Sequence, residues 1–174
     1  MILETERLYL REMTEDDFPA LCLMLQDPEV MYAYGHAFSD EEAHQWLDKQ
    51  LDNYLRDGFG LWAMILKESG EMIGQCGLTW QDVGAEAPVL EVGYLFLRAH
   101  WHQGFATEAA RACRDWAFSV LRAPRVHSVI RDTNVASQRV AQRNGMAVAD
   151  RFVKHYRGVE MPHLLYAVDN PAKN

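Results

Sequence analysis

The chain is expected to fold as a mixed α/β domain with the order β-α-α-β-β-β-α-β-α-β-β. About four main helices would cover a central mixed, mostly antiparallel sheet of about seven strands. Two observations carry this. The run Val89 to Leu97 is apolar on both faces, as in a central covered strand. The run His100 to Ala109 then leads from it into an Ala-rich amphipathic stretch, Phe105 to Leu121. A strand, a tight Gly-containing loop and a helix start therefore follow in order.

Arg7-Leu8-Tyr9-Leu10-Arg11 reads as a short half-buried strand. Phe18, Leu21, Cys22 and Leu25 then recur at helical spacing, with Thr14, Asp16 or Asp17 as the cap and Pro19 in the first turn. Asp27-Pro28 closes that helix. Ser39 and Glu42 have capping-box spacing and open a second helix reaching about Arg56, before Gly58 and Gly60. Between the helices, Met31 to His36 is irregular and aromatic, either core filler or a substrate wall made by Tyr32, Tyr34 and His36.

Gly60 to Lys67 and Met72 to Trp80 read as strands around a turn at 68–71. In the strand Val89 to Leu97, residues Leu90, Val92, Tyr94 and Phe96 share one face. Glu91 is the one charge in it. The next helix turns Ala109, Cys113, Trp116, Ala117 and Val120 inward. Val126 to Arg131 is a strand, and Asn134 caps a helix that runs to Asn144, with Gly145 past its end. Met146 to His155 and Met161 to Val168 form a hairpin around Arg157-Gly158-Val159.

The 174 residues are expected to form a single domain over 1–174, with a flexible tail at 170–174. A hydrophobic fraction of 49% and a charged fraction of 24% are those of a soluble globular protein. No apolar stretch has membrane-spanning length, and Met1-Ile2-Leu3-Glu4 lacks the basic start of a signal peptide. The odd set Cys22, Cys76 and Cys113, without a CxxC pair, points to reduced thiols and a cytoplasmic setting. A net charge of −8 argues against nucleic acid as partner. Such a field favours a cationic acceptor, or it serves solubility alone.

In the loop after the central strand, free N–H groups and the positive end of the helix dipole converge, which suits phosphate. It lacks the Gly-Lys-Ser/Thr ending of a Walker loop, and only Gly104 is present where a dinucleotide fold needs three spaced glycines. Gly104 and Ala106 allow close approach of a ligand to the backbone. His100 and His102 have a spacing found in metal sites, but no third ligand is placed and no metal is expected.

These motifs, in this order, resemble the GNAT superfamily of acyl-CoA-dependent N-acetyltransferases, and within it the RimJ/RimL-type branch. The matching residues are Glu4-Thr5-Glu6-Arg7-Leu8, Asp27-Pro28-Glu29-Val30, Ile73-Gly74, Glu91-Val92-Gly93-Tyr94, Trp101 to Ala109, Asn134-Val135-Ala136-Ser137 and Asn144-Gly145. Three positions depart from the wider pattern. Trp101 replaces an Arg or Gln, as is typical of the branch; Met146 replaces a Phe; and Ala141 stands where many relatives carry a catalytic Tyr.

The resemblance implies acetyl-CoA as cosubstrate and a primary amine as acceptor, either a peptide N-terminal α-amine or a small amine. It places the pyrophosphate on His102, Gln103, Gly104, Phe105, Ala106 and Thr107, and the pantetheine arm near Phe96 and Leu97. A backbone amide at Phe96 or Leu97 would hold the thioester carbonyl. Asn134 and Ser137 would face the cofactor.

At pH 7 a Lys-like amine with pKa ~10.4 must give up roughly 4–5 kcal/mol of protonation preference, an α-amine near ~8 only about 1. A base is needed, and Glu91 is the candidate, acting on the acceptor directly or through water. A structural ion pair or an exposed strand end is its alternative role. Ser137 is the candidate donor to the leaving thiolate, or a simple helix cap. A catalytically silent acyl-CoA-binding module and a small-molecule acetyltransferase (amino acid, polyamine or drug-like amine) remain open readings. The protein is expected to be a monomer or homodimer.

Overall fold

The computed structural model describes residues 1–173. Its strands are β1 (Leu3–Glu4), β2 (Leu8–Arg11), β3 (Leu61–Leu66), β4 (Met72–Gln81), β5 (Val89–Phe96), β6 (Arg125–Arg131), β7 (Ala147–Tyr156) and β8 (Val159–Asp169). Its helices are α1 (Phe18–Leu25), α2 (Asp40–Asp57), α3 (Phe105–Ser119) and α4 (Val135–Arg143). The strands form one sheet in the order β1-β2-β3-β4-β5-β6-β8-β7. Neighbours pair antiparallel except β5 and β6, which run parallel.

Each face of the sheet has its own core. Leu8, Leu10, Ile73, Leu90, Val92 and Phe96 pack with Phe105, Ala109, Cys113 and Ala117 of α3. On the other face Ala63, Ile65 and Met72 pack with Leu21 and Leu25 of α1 and Ala43 and Leu47 of α2, with Leu95 and Leu97 against them. The apolar character of β5 on both sides follows from this double cover.

The local signals act as their chemistry dictates. Thr14 caps a 3-10 turn over Glu15–Asp17, and Pro19 sits in the first turn of α1. Asp17 holds the N-cap position of α1 but spends its carboxylate on the Thr14 N–H and Arg11 rather than on the helix. Ser39 Oγ accepts from Glu42 N–H at 3.2 Å while the Glu42 carboxylate accepts from Ser39 N–H at 2.9 Å, the reciprocal capping box. Asn134 Oδ1 accepts from Ser137 N–H at 3.1 Å.

Four expectations need correction. The two-residue β1 was missed, being too short to show a period; Ile2 N–H donates to Leu10 O at 2.7 Å beside it. Val120 lies past the end of α3 and is 57% exposed. Val159 opens β8, because Arg157 and Gly158 alone, with φ of 50° and 75°, make a two-residue turn with both φ positive. The expected tail begins with a buried anchor: Asn170 Nδ2 donates to Ala123 O at 3.0 Å. The part of that tail at 174 lies outside the described residues. Among the described residues, no helix is long and apolar enough to cross a membrane.

Candidate active site

β5 and β6 pair at one position, Glu91 with His127, and then separate. The floor of the opening is closed by side chains. Ser128 Oγ donates to Val92 O at 3.1 Å, and Val129 N–H donates to Glu91 Oε1 at 3.0 Å. Backbone groups alternate along a strand. Leu97 N–H donates to Ile73 O of β4 at 2.9 Å, so the odd-numbered residues of β5 face β4. The N–H groups of Tyr94 and Phe96 therefore face the gap, where β6 no longer pairs with them. A cleft of about 810 Å³ fills this gap. It runs from the loop 102–107 past Tyr94 and Glu91 to Tyr34, Trp46 and Tyr156.

The loop forms one wall. His102 and Gly104 both take positive φ, 61° and 83°, which turns successive N–H groups outward as an anion nest. Among the described residues, the N–H groups of 102–107 have no acceptor within the protein. Trp101 Nε1 donates to Phe96 O at 3.2 Å and ties the loop to β5. Arg7 and Glu108 brace it from behind. Glu108 accepts from Thr5 Oγ1 (2.7 Å), Arg7 N–H (2.9 Å) and Arg7 Nε (2.7 Å), while Arg7 Nη1 donates to Gln103 O at 2.9 Å. These partners outweigh the cost of burial and hold the Glu108 carboxyl below its ordinary range. Arg139 and Arg143 of α4 add positive charge to the cleft. This cradle fits a pyrophosphate.

Phe96, His102, Gly104, Phe105, Ala106, Thr107, Asn134 and Ser137 all line the cleft as expected. Two expected residues do not present their side chains there. Gln103 Nε2 turns back to Ala99 O at 3.0 Å, and Leu97 packs under the sheet with α1 and α2. The spent N–H of Leu97 leaves Phe96 and Tyr94 as the β5 donors available to a carbonyl.

Glu91 opens onto the cleft. The surrounding protein desolvates its carboxyl and raises its pKa to about 7; the Val129 N–H, Lys154, Thr79 and Lys49 pull the other way. Burial also raises the Tyr94 and Tyr34 phenols, so both stay protonated. Tyr94 OH lies 3.5 Å from Ser137 O, which puts its phenol beside the Ser137 turn of α4. Ala141 is buried in the core and cannot stand in for a Tyr acid.

Tyr32 and Tyr34 line the cleft, but His36 stands behind it. His36 Nε2 meets Glu42 Oε1 at 2.9 Å and its ring stacks on Tyr156. Arg157 also bonds Glu42. The Ser39 N–H and these partners lower the Glu42 carboxyl to about 2. His36 thus ties α2 to the β7–β8 turn and backs Tyr156.

The sequence reading missed Tyr94, Trp46, Lys49, Arg131 and His163, all on the cleft, where Lys154 and Tyr156 of the final hairpin also stand. Two spacings carried a signal. Trp46 and Lys49 share a helix face at i, i+3, and Lys154 and Tyr156 share a strand face at i, i+2. Among the described residues no group of three His, Cys, Asp or Glu side chains could hold a metal ion.

The family model described as "Acetyltransferase (GNAT) domain" matches residues 7–147. The Bacillus subtilis protein YkkB is 37% identical over 83% of this chain and 84% of its own length. The Bacillus licheniformis N-acetyltransferase p20 is 35% identical over 78% of this chain and 76% of its own. The crystal structure of an acetyltransferase from Agrobacterium tumefaciens superposes with a TM-score of 0.80 at 31% identity, covering 95% of this chain and 92% of that one. With a phosphate cradle, a splayed parallel strand pair and a near-neutral carboxyl in one cleft, the chain belongs to the GNAT family of acetyltransferases.

Proposed function

We propose that this acetyltransferase moves the acetyl group of acetyl-CoA to a primary amine, with both substrates in one cleft. The carrying observation is the continuity of that cleft from the loop 102–107 to Glu91. The loop N–H groups and Arg139 and Arg143 hold the pyrophosphate end, and Phe96 and Tyr94 offer N–H groups to the pantetheine arm and thioester carbonyl. Acetyl-CoA supplies the acetyl group as an activated thioester.

Glu91 takes a proton from the acceptor ammonium, directly or through water. The amine nitrogen then bonds the acetyl carbon and the carbon–sulfur bond breaks. Ser137 or Tyr94 hydrogen-bonds the leaving thiolate or gives it a proton, and the second proton released from the nitrogen as the amide forms replaces it, so that the products are the amide and the free thiol of CoA. A base near 7 lies about 1 pKa unit below an α-amine and about 3 below a Lys-like amine. Proton transfer from the Lys-like amine therefore costs roughly 3 kcal/mol more. We therefore read the acceptor as an α-amine, of a peptide N-terminus or a small molecule. The motif residues support reading the chain as a RimJ/RimL-type member of the family. Buried free Cys76 and Cys113 suit a reducing cytoplasm.

The test is thiol release from acetyl-CoA with a panel of N-terminal peptides and small amines. Amine-dependent release with an acetylated product supports the reading. Tight CoA binding with no acceptor turned over would instead mark a silent binding module.

A further inference from the structure

We infer that the acceptor is a small amine bearing a carboxylate next to its nitrogen, an amino-acid-like molecule whose carboxylate lies between Lys49 and Lys154. This rests on the reading of the cleft as an N-acetyltransferase site. It reverses the expectation from net charge.

The protein carries −8 overall, yet the acceptor end of the cleft is cationic. Its charged lining side chains are Lys49 from α2, Lys154 from β7, Arg131 from β6 and Glu91; Glu29 also lines the cleft, but its carboxylate is paired with Arg98 at 2.9 Å. One carboxylate, even fully ionised, cannot balance three cations. Arg131 is engaged: its Nη1 donates to Tyr32 O at 3.0 Å and its guanidinium lies over the Tyr32 ring. Among the described residues, neither lysine has a carboxylate within 4.0 Å. Both lower the pKa of Glu91, and Lys154 acts on His163 as well, so their charges are felt in the cleft.

A half-buried Lys154 and an exposed Lys49, neither paired with a carboxylate, repel a polyamine and attract an anion. The Glu91 carboxyl sits among them, so the acceptor must place a cationic nitrogen and an anion within one short molecule. An α-amino acid does this. A plain peptide N-terminus does not, since its adjacent carboxyl is an amide. Tyr34, Trp46 and Tyr156 supply apolar walls for its side chain.

The experiment compares α-amino acids, their amides and their decarboxylated amines at saturating acetyl-CoA, by thiol release and product mass. The free acid is expected to exceed its amide in kcat/KM by more than tenfold. Lys49→Met and Lys154→Met should each reduce that acid-over-amide preference roughly tenfold, mostly through KM. A separate titration measures binding of N-acetyl amino acids and their amides to the wild type and both variants. It reads carboxylate recognition without turnover. Acid-selective binding that is lost in the lysine variants supports the inference even if no acceptor turns over, and that pair of results would fault the catalytic reading alone. Amides handled as well as acids, or lysine variants that leave the preference unchanged, would overturn it.

Discussion

Val129 donates its backbone N–H to Glu91 Oε1 at 3.0 Å, across the point where β5 and β6 part. The carboxylate thus satisfies a donor that the strand ladder leaves open, and it does so facing the cleft. One side chain finishes the sheet and presents a carboxyl of pKa about 7 to the acceptor. The hydrogen bond gives Glu91 a structural role, and its place on the cleft leaves it free to serve as the proposed base as well.

Glu91→Gln keeps an oxygen for the Val129 N–H and removes the base. Turnover should fall roughly 10²–10⁴-fold at pH 7, with partial recovery at high pH as free amine becomes available. The pH–rate profile of the wild type should rise through about 7, and that rise should be absent from the variant. Near-normal turnover of the variant at pH 7 would place the base elsewhere.

The same group makes stability fall with pH. Its carboxyl binds a proton more tightly folded, at about 7, than unfolded, near 4.5. Between those values the folded state holds more protons, so this contribution declines as pH rises across the window. Glu91→Gln removes it. The variant should therefore gain Tm relative to wild type on going from pH 4.5 to pH 8. A difference that stays flat over this range would mean that burial does not tax the ionised carboxylate.

Gly104 adopts φ of +83°, and a Cβ there would sit 3.4 Å from Arg7 Nη2. Gly104→Val forces a β-branched residue into the left-handed region, at a cost of about 1–3 kcal/mol. The protein should remain folded by circular dichroism but lose CoA affinity by more than tenfold. Unchanged CoA affinity in a folded variant would remove the loop from cofactor binding.

The sequence was most legible where local chemistry decides. The capping box of Ser39 and Glu42, the Asn134 cap and the double-faced apolar run of β5 each follow from neighbours in the chain. The cofactor side was legible for the same reason, since a strand, Gly104 and a helix start form a local anion nest. The acceptor side was not. Trp46, Lys49, Lys154 and Tyr156 come from α2 and β7 and meet only through tertiary packing. His36 misled because an aromatic run shows no face, and the Tyr156 ring on which it stacks lies far along the chain. Net charge carries little information about the cleft, since it averages over the whole surface.

Arg7→Met should test the brace behind the loop. It removes the bonds to Glu108 and Gln103 O and the contact of the guanidinium with the Phe105 ring, 4.2 Å from its centroid. Arg7 is partly exposed, so the loss in stability should be modest, about 1 kcal/mol. KM for acetyl-CoA should rise several-fold with a smaller change in kcat, because the brace shapes the cradle without touching the reacting atoms. The Glu108 carboxyl, held below its ordinary range by these partners, stabilises the fold above its unfolded pKa and loses that effect as pH falls through its folded value. Acid unfolding should therefore be steeper in wild type than in Arg7→Met. Equal acid sensitivity would show that the brace contributes little.

Ser137 and Tyr94 can be separated as donors to the leaving thiolate. Ser137 lines the cleft one turn into α4, and its N–H is already engaged by Asn134 Oδ1 at 3.1 Å, leaving the hydroxyl free of that capping bond. Tyr94 stays protonated because burial raises its phenol, and its OH lies 3.5 Å from Ser137 O. A protonated phenol with a high pKa is a hydrogen-bond donor first and a weak acid second. Ser137→Ala should lower kcat by about tenfold or more while CoA binding changes little. Tyr94→Phe should also lower kcat, and the smaller its effect, the more the Ser137 hydroxyl acts alone. The double variant decides whether they share the task. Losses that multiply indicate independent donors, whereas a combined loss no larger than that of Ser137→Ala indicates that Tyr94 acts by positioning the Ser137 turn. The measurement is kcat at saturating substrates, with single-turnover kinetics to establish that chemistry limits. Wild-type kcat in Ser137→Ala under those conditions would remove its hydroxyl from the reaction.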